Sequence, residues 1–258
     1  MVDLLTKLID DAKKRIHNGY YNLQENSMHQ TTSLKRAIKS AERNAIIAEI
    51  KPISPARGPL RLEVDPVRAA WQMVNGGAVA LSVLTEPDNF GGSLEKLRQV
   101  REHVSVPLLM KDIVIHERQI EAGRKAGADS ILLIESAFSK YPLASLSRMI
   151  RYAHESHLEV VLEVHNEDEL RRALNSETDL IGLNNRNLST LEIDLATTTR
   201  LMANAGNHRD KMLISESGYE SAEDIRRVKP VRVDGFLIGT SIMLSADLER
   251  KVREFVLA

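Results

Sequence analysis

After residue 45 the chain repeats one unit: a short apolar, β-branched run followed by a charged amphipathic segment. The runs are AIIAEI (45–50), AVALSVL (78–84), VPLLM (106–110), DSILLI (129–134), LEVVLEV (158–164), DLIGL (179–183), KMLISE (211–216) and DGFLIG (234–239). Segments between them, such as SLEKLRQVREHV and HERQIEAGRKAGA, space their apolar residues with a helical period. Strands that alternate with helices pair in parallel through right-handed crossovers. Parallel strands covered on both faces read as near-continuous apolar runs, as these do. Eight such units in about 210 residues fit an α/β fold, the closed (β/α)8 TIM barrel. An open doubly wound sheet is the competing architecture. It usually carries a G-x-G-x-x-G turn after its first strand, and none stands there.

Residues 1–44 read as a helical extension packed on the barrel of residues 45–258, the whole forming one structural domain. The segment TTSLKRAIKSAERN leads directly into the first run. Helix starts are expected at Asp65 before Pro66, at Ser93, and at Ser221 with Asp224 three residues on. Trp71, beside AAWQMV, is expected to pack in the core, and His154 and His157 to lie on a helix surface.

Bulk properties exclude several classes. The 258 residues are 43% hydrophobic and 28% charged with a formal net charge of -1, which gives no electrostatic case for a nucleic acid or anionic membrane partner. The absence of cysteine removes disulfides, thiol nucleophiles and zinc–thiolate sites. No apolar run approaches the roughly 20 residues needed to span a bilayer. The N-terminus MVDLLTKLIDDAKKRIHN is amphipathic with an early Asp, unlike a secretory or transit peptide. These features lead us to expect a cytoplasmic protein without metal or other cofactor; monomer and homodimer both remain open.

Chemistry in a barrel of this type gathers at the C-terminal ends of the strands. There the first run ends in Glu49 and Lys51, two apart and therefore on one face. Lys111 tips the third run, Glu163 the fifth, Asn184 the sixth, Glu216 and Ser217 the seventh, and Gly239 and Thr240 the eighth. A lone Glu or Lys at a strand end is ordinarily a solvated loop residue. Five ionisable groups at one end of four strands, above apolar interiors, are a constellation. The turns ISESGYESAEDI and FLIGTSIM add a second signal, each a strand, a glycine turn and a helix start. Backbone N–H groups at such turns hold anions, and in barrels the loops after strands seven and eight often hold phosphate. The expected partner is a phosphorylated small molecule.

The motifs IIAEIKPISPARG, LTEPDNFGGS, LLMKDIVI, ILLI, LEVHNEDEL, IGLNNRNL, ISESGY and IGTSIM run in order from about residue 45 to 245. In that order the chain resembles the indole-3-glycerol-phosphate synthases, and its N-terminal segment is similar as well. E-x-K-x-x-S-P together with S-E-S-G is the most specific part. The resemblance implies ring closure, decarboxylation and dehydration of 1-(2-carboxyphenylamino)-1-deoxyribulose 5-phosphate, a carbon–carbon lyase step of tryptophan biosynthesis. It implies Lys111 as the acid that protonates the carbonyl oxygen. It also implies Lys51 as binder of the substrate carboxylate and assistant in dehydration, and Glu163 as general base or proton-shuttling carboxylate. Glu49, Asn184, Glu216 and Ser217 match residues that hold the lysines and the substrate hydroxyls. Ser54, Gly218, Gly239 and Thr240 match phosphate-binding positions. Phe90, Leu133 and Leu188 match contacts to the anthranilate ring, with Arg186 beside them. Ile50 stands where an aromatic is common, and Ala56 where serine often follows S-P; both bear on loop shape and affinity. The alternatives are another phosphate-binding barrel enzyme, such as a phosphoribosylanthranilate isomerase or a Schiff-base aldolase, and a non-catalytic sugar-phosphate-binding barrel.

Overall fold

A computed structural model describes residues 3–24, 29–141, 145–188, 190–206 and 211–258, so residues 1–2 and 25–28 of the N-terminal segment lie outside the description. Each of the eight apolar runs forms a barrel strand, two of which extend one residue past their run, to Lys111 and Asn184. The strands are β1 (Ile46–Ile50), β2 (Ala80–Leu84), β3 (Leu108–Lys111), β4 (Ser130–Ile134), β5 (Glu159–Val164), β6 (Leu180–Asn184), β7 (Met212–Glu216) and β8 (Gly235–Ile238). Neighbours pair in parallel in sequence order and β8 returns to β1, which closes a (β/α)8 TIM barrel. The loop after β1 adds a two-stranded antiparallel hairpin, Ile53–Ser54 with Gly58–Pro59, that periodicity did not signal. Among the described residues no helix is long and apolar enough to cross a membrane.

Side chains of alternate strands fill the barrel in layers. Ile47, Leu109, Val161 and Ile214, on the odd strands, are buried in one apolar cluster. Two residues further along the same four strands stand Glu49, Lys111, Glu163 and Glu216. The period of two thus stacks a charged layer directly on an apolar one. The opposite parity faces the helices: Ile46, Ala48 and Ile50 pack there with Leu81, Leu108 and Leu133.

Two helices precede the barrel, α1 (Leu4–His17) and α2 (Leu34–Lys39). Leu5, Leu8, Ile9 and Ala12 of α1 share the apolar cluster of the barrel interior, as do Leu34 and Ile38 of α2. The chain around α2 closes the N-terminal end of the barrel. Thr32 N–H donates to Asp129 at 2.7 Å and Lys35 N–H to Glu159 at 3.0 Å, both carboxylates at strand starts.

The expected caps form. Asp65 accepts from Val67 and Arg68 N–H, Ser93 from Lys96 N–H, and Ser221 with Asp224 makes a capping box. Trp71 departs from expectation: it is 53% exposed, with its indole N–H on the His103 carbonyl, because its face of the helix Pro66–Asn75 points outward. His154 is on a helix surface against Asp179, but His157 lies beyond the helix end with φ 60°.

A buried polar network fastens α1 to the C-terminal end of the barrel. Arg15 Nη1 lies 2.6 Å from both Glu86 and Asp88. Tyr21 OH and Thr85 Oγ1 donate to Asp112, the residue after Lys111, at 3.2 Å and 2.7 Å. Glu86 in turn accepts from the N–H groups of Asn89 and Phe90. Removing one partner of a buried pair strands the other charge. Arg15→Ala is expected to cost about 3–5 kcal/mol in urea unfolding. Asp88→Ala, which removes a carboxylate 59% exposed at its side chain, should cost under about 1 kcal/mol.

Candidate active site

The charged layer is organised by one ammonium. Lys111 Nζ lies 3.2 Å from Glu163 Oε2 and 3.3 Å from Glu216 Oε2. Glu49, on β1, pairs with Lys51 at 2.5 Å. All three carboxylates are almost fully buried. Glycines on β6 and just past β8 make the room. A Cβ on Gly182 would lie 2.0 Å from Glu216 Oε1, and one on Gly239 would lie 2.4 Å from Glu49 Oε1. Gly239 is therefore required by Glu49, a reason the sequence motif did not disclose. Among the described residues Glu49 Oε2 and Glu216 Oε1 are buried without a hydrogen-bond partner.

Ionisation follows from this crowding. Burial alone would lower the Lys111 pKa, but attraction to Glu216, Glu163 and Glu49 outweighs it and holds the ammonium well above its usual range. Burial would raise the Glu163 pKa, yet Lys111 and His165 reverse that, so this carboxyl stays ionised far below its ordinary value. Glu216 goes the other way. Burial, reinforced by the charges of Glu163 and Glu49, pushes it up to about 7 against the pull of Lys111. His165 is pushed up to about 9: burial opposes its charge, but Glu163 and Glu169 flank the ring.

Above the layer opens a cavity of about 1150 Å³, open mouth included. One wall is apolar, built by Phe90, Ile113, Leu132, Ile134 and Leu188, and by Leu4 and Leu8 of α1. The wall across the barrel is the loops after β7 and β8, Ser217 to Tyr219 and Gly239 to Ser241. Ser241 Oγ donates to the Tyr219 carbonyl at 2.6 Å and joins them. Ser217 adopts φ 68° and Gly218 φ 96°; the Asn185 side chain holds the turn by donating to the Ser217 carbonyl at 3.0 Å. An Arg57–Glu220 ion pair links the hairpin after β1 to the loop after β7. Arg186 has no carboxylate within ion-pair distance among the described residues; it donates to the Leu191 carbonyl, and its backbone N–H to Asn184 Oδ1.

The cavity gathers Glu49, Lys51, Ser54, Phe90, Lys111, Glu163, Asn184, Arg186, Leu188, Glu216, Ser217, Gly218, Gly239 and Thr240. Leu133 is the correction. It is fully buried on the outer face of β4, among residues that meet the helices, and Leu132 and Ile134 take the cavity side. An all-apolar run hides its parity, so the sequence offered no means of choosing between Leu132 and Leu133. Ile50, where an aromatic is common, also faces the helices and lies outside the cavity lining. Sequence reasoning missed Leu4, Leu8, Glu86 and Asn185. It also left His165 without a role, although a position two residues past Glu163 signals the same face.

A model of the family described as indole-3-glycerol phosphate synthase matches residues 4–255. The chain belongs to the indole-3-glycerol phosphate synthase family. A relative of that name from Bacillus thuringiensis subsp. konkukian is 39% identical over 251 residues, covering 96% of each chain. Another from Methanocaldococcus jannaschii is 42% identical over 228 residues, covering 87% of this chain and 83% of that one. Among solved structures, a thiamine phosphate pyrophosphorylase from Pyrococcus furiosus superposes with a TM-score of 0.60 at 14% identity. It covers 86% of this chain and 96% of its own, a likeness of fold alone. Family membership spans the extension as well as the barrel, in keeping with Leu4 and Leu8 reaching the cavity.

The raised Glu216 pKa has a stability consequence of definite sign. Between its usual 4.5 and about 7, folded Glu216 keeps a proton that the unfolded chain has released. Stability owed to this carboxyl therefore falls as pH rises through that interval. Measured against Glu216→Gln, the wild-type chain should lose on the order of 1–3 kcal/mol of unfolding free energy from pH 4.5 to pH 8. A difference independent of pH would contradict the assignment.

Proposed function

We propose that this barrel converts 1-(2-carboxyphenylamino)-1-deoxyribulose 5-phosphate to indole-3-glycerol phosphate, carbon dioxide and water, in the cytoplasm. The observation that carries the reading is a protonated Lys111 held between Glu163 and Glu216 at the floor of a cavity with one apolar wall and one glycine-rich wall. A substrate with an aromatic ring at one end and a phosphate at the other matches that polarity.

In this reading the anthranilate ring packs on Phe90 and Leu188, with Leu132 in the place first assigned to Leu133. Lys51 binds its carboxylate, with Arg186 beside it. The phosphate lies against Ser54, Gly218, Gly239 and Thr240. Lys111 protonates the carbonyl oxygen as the ring carbon attacks, carbon dioxide leaves, and the ring regains aromaticity. Lys51 then assists departure of the hydroxyl as water while Glu163 removes a proton from the carbon beside the ring nitrogen. Glu49, Asn184, Glu216 and Ser217 orient the lysines and the substrate hydroxyls. Glu49 Oε2 and Glu216 Oε1, buried and unpartnered, are acceptors available for those hydroxyls.

A general acid must be loaded before the reaction and yield its proton during it. The three carboxylates guarantee loading of Lys111, and each carboxylate charge that is neutralised makes the ammonium more acidic. Glu216, which burial pushes up to about 7, is the one of the three that is most readily neutralised.

Indole fluorescence after addition of the substrate, with no metal or cofactor supplied, tests the reading directly. Lys111→Ala is expected to lower kcat by about 10²–10⁴-fold with the far-ultraviolet circular dichroism unchanged. Lys51→Ala should raise KM more than it lowers kcat. A wild-type chain that yields no indole product refutes the assignment.

A further inference from the structure

The substrate proposed above carries two anions, a carboxylate and a phosphate, and most cations of the cavity are committed elsewhere. Among the described residues four cations line it: Lys51, Arg57, Lys111 and Arg186. Lys111 is taken by Glu163 and Glu216, and Lys51 by Glu49. In the proposed reaction Lys51 and Arg186 serve the substrate carboxylate. The phosphate wall offers hydroxyls and backbone N–H groups from Ser54 and from the loops after β7 and β8. A phosphate monoester carries a charge of about −1.5 to −2 near pH 7. Arg57 is the cation on that side, and beside it stands a carboxylate, Glu220, that by itself repels an anion.

The two side chains hold each other across the gap between the hairpin after β1 and the loop after β7. Arg57 stands in the hairpin turn, where its peptide N–H donates to the Ser54 carbonyl at 3.1 Å. Its stem therefore starts beside a residue of the phosphate wall. Glu220 directly follows Tyr219, the last residue of the turn that begins at Ser217. The Glu220 backbone is fixed on both sides: its N–H donates to Asp224 at 3.0 Å, and its carbonyl accepts from Lys251 Nζ at 2.7 Å. The side chains are looser, 62% exposed for Glu220 and 47% for Arg57. Ion pairs this exposed are weak, so either group can swing into water when a stronger partner arrives. Burial, with added repulsion from Arg57, holds the Arg186 guanidinium below its usual range against the attraction of Glu49. The Arg57 charge is thus felt within the cavity.

We infer that Glu220 holds the place of the substrate phosphate on Arg57, and that the phosphate takes the guanidinium from it on binding. The inference rests on the reaction assigned above, whose substrate supplies the phosphate. A phosphate brings three acceptor oxygens and more than one negative charge, and a guanidinium grips it through two parallel N–H···O bonds. A single carboxylate on an exposed loop loses that contest. Released Glu220 turns outward to water, which removes its repulsion from the phosphate wall. The exchange makes Arg57 a specificity-determining residue. A ligand without phosphate leaves the Arg57–Glu220 pair intact and gains nothing from it. An anion no stronger than a carboxylate gains nothing by the trade either.

The test compares the wild-type chain, Arg57→Ala and Glu220→Gln in two measurements. One is steady-state kinetics with the phosphorylated substrate and with the same molecule lacking its phosphate; the other is calorimetric titration with inorganic phosphate. For Arg57→Ala we expect KM for the phosphorylated substrate to rise about tenfold with kcat within about twofold, and inorganic phosphate to bind about tenfold more weakly. Glu220→Gln should act in the opposite direction, tightening phosphate and lowering KM about two- to fivefold. Neither substitution should change kcat/KM for the dephosphorylated substrate. Damage to loop shape would weaken both substrates together, so the contrast between them separates recognition from structure. Thermal unfolding checks that each variant is folded. Should the dephosphorylated substrate turn over too slowly to measure, the opposite shifts in phosphate affinity decide. An Arg57→Ala chain that binds inorganic phosphate as tightly as wild type overturns the exchange. So does a Glu220→Gln chain that binds it no more tightly, or an equal loss with both substrates. A wild-type chain that makes no indole product refutes the assigned reaction, whereas the other failures, in a chain that makes it, refute the exchange alone.

Discussion

One ammonium in the interior of a closed barrel compensates more negative charge than it carries, and the rest of the site is arranged around that imbalance. Lys111 contacts Glu163 and Glu216 directly and feels Glu49 on the neighbouring odd strand. Burying charge in an apolar setting is expensive unless it is paired. The pairing here holds only because the layer beneath is packed with Ile47, Leu109, Val161 and Ile214, which leaves the charged side chains no retreat. Gly182 and Gly239 provide the volume into which Glu216 and Glu49 fit. The outcome is a set of carboxyls with divergent proton affinities. Glu163 is firmly ionised between Lys111 and His165, while Glu216 is left to titrate near neutrality. Two like groups with opposite tendencies are what proton traffic at a fixed pH requires.

The N-terminal segment belongs to the same construction. Leu4 and Leu8 complete the apolar wall of the cavity, and Arg15 and Tyr21 reach Glu86 and Asp112. Asp112 is the neighbour of Lys111, so the contacts that hold α1 also brace the end of the strand that presents the ammonium. Stability and site geometry are coupled through shared residues, and a change at Arg15 bears on both.

Much of this was legible in the chain before any coordinates. The eight runs are apolar on both parities because each strand is sandwiched between barrel interior and helices, and that doubled burial is what made a parallel barrel readable. The same property obscured Leu133: in an all-apolar run the inward residue leaves no mark, and Leu132 faces the cavity instead. Where a run carried a charge the parity was visible, which is why Glu49, Lys51, Lys111, Glu163 and Glu216 could be aimed at one mouth. Trp71 was misplaced because a large aromatic in an amphipathic helix reads as core, whereas its face points away from the barrel. Leu4 and Leu8 were missed because their proximity to the mouth depends on how α1 docks, which no local pattern encodes; Glu86, just past the end of β2, was missed although its position at a strand end marks it.

The sequence by itself determined the barrel, the end at which its polar groups collect and the family to which the chain is similar. Those follow from the period of two in strands, the helical period between them, and motifs in fixed order. Tertiary structure alone decided which charges touch and therefore which protons are held. Sequence left open whether Lys111 is made more acidic by burial or less so by neighbouring glutamates; the 3.2 Å and 3.3 Å contacts settle it in favour of the glutamates. It also put His165 between Glu163 and Glu169 and made Gly239 a space for Glu49. Electrostatic and steric effects depend on distances across the barrel, and those are fixed by the register and closure of the whole sheet.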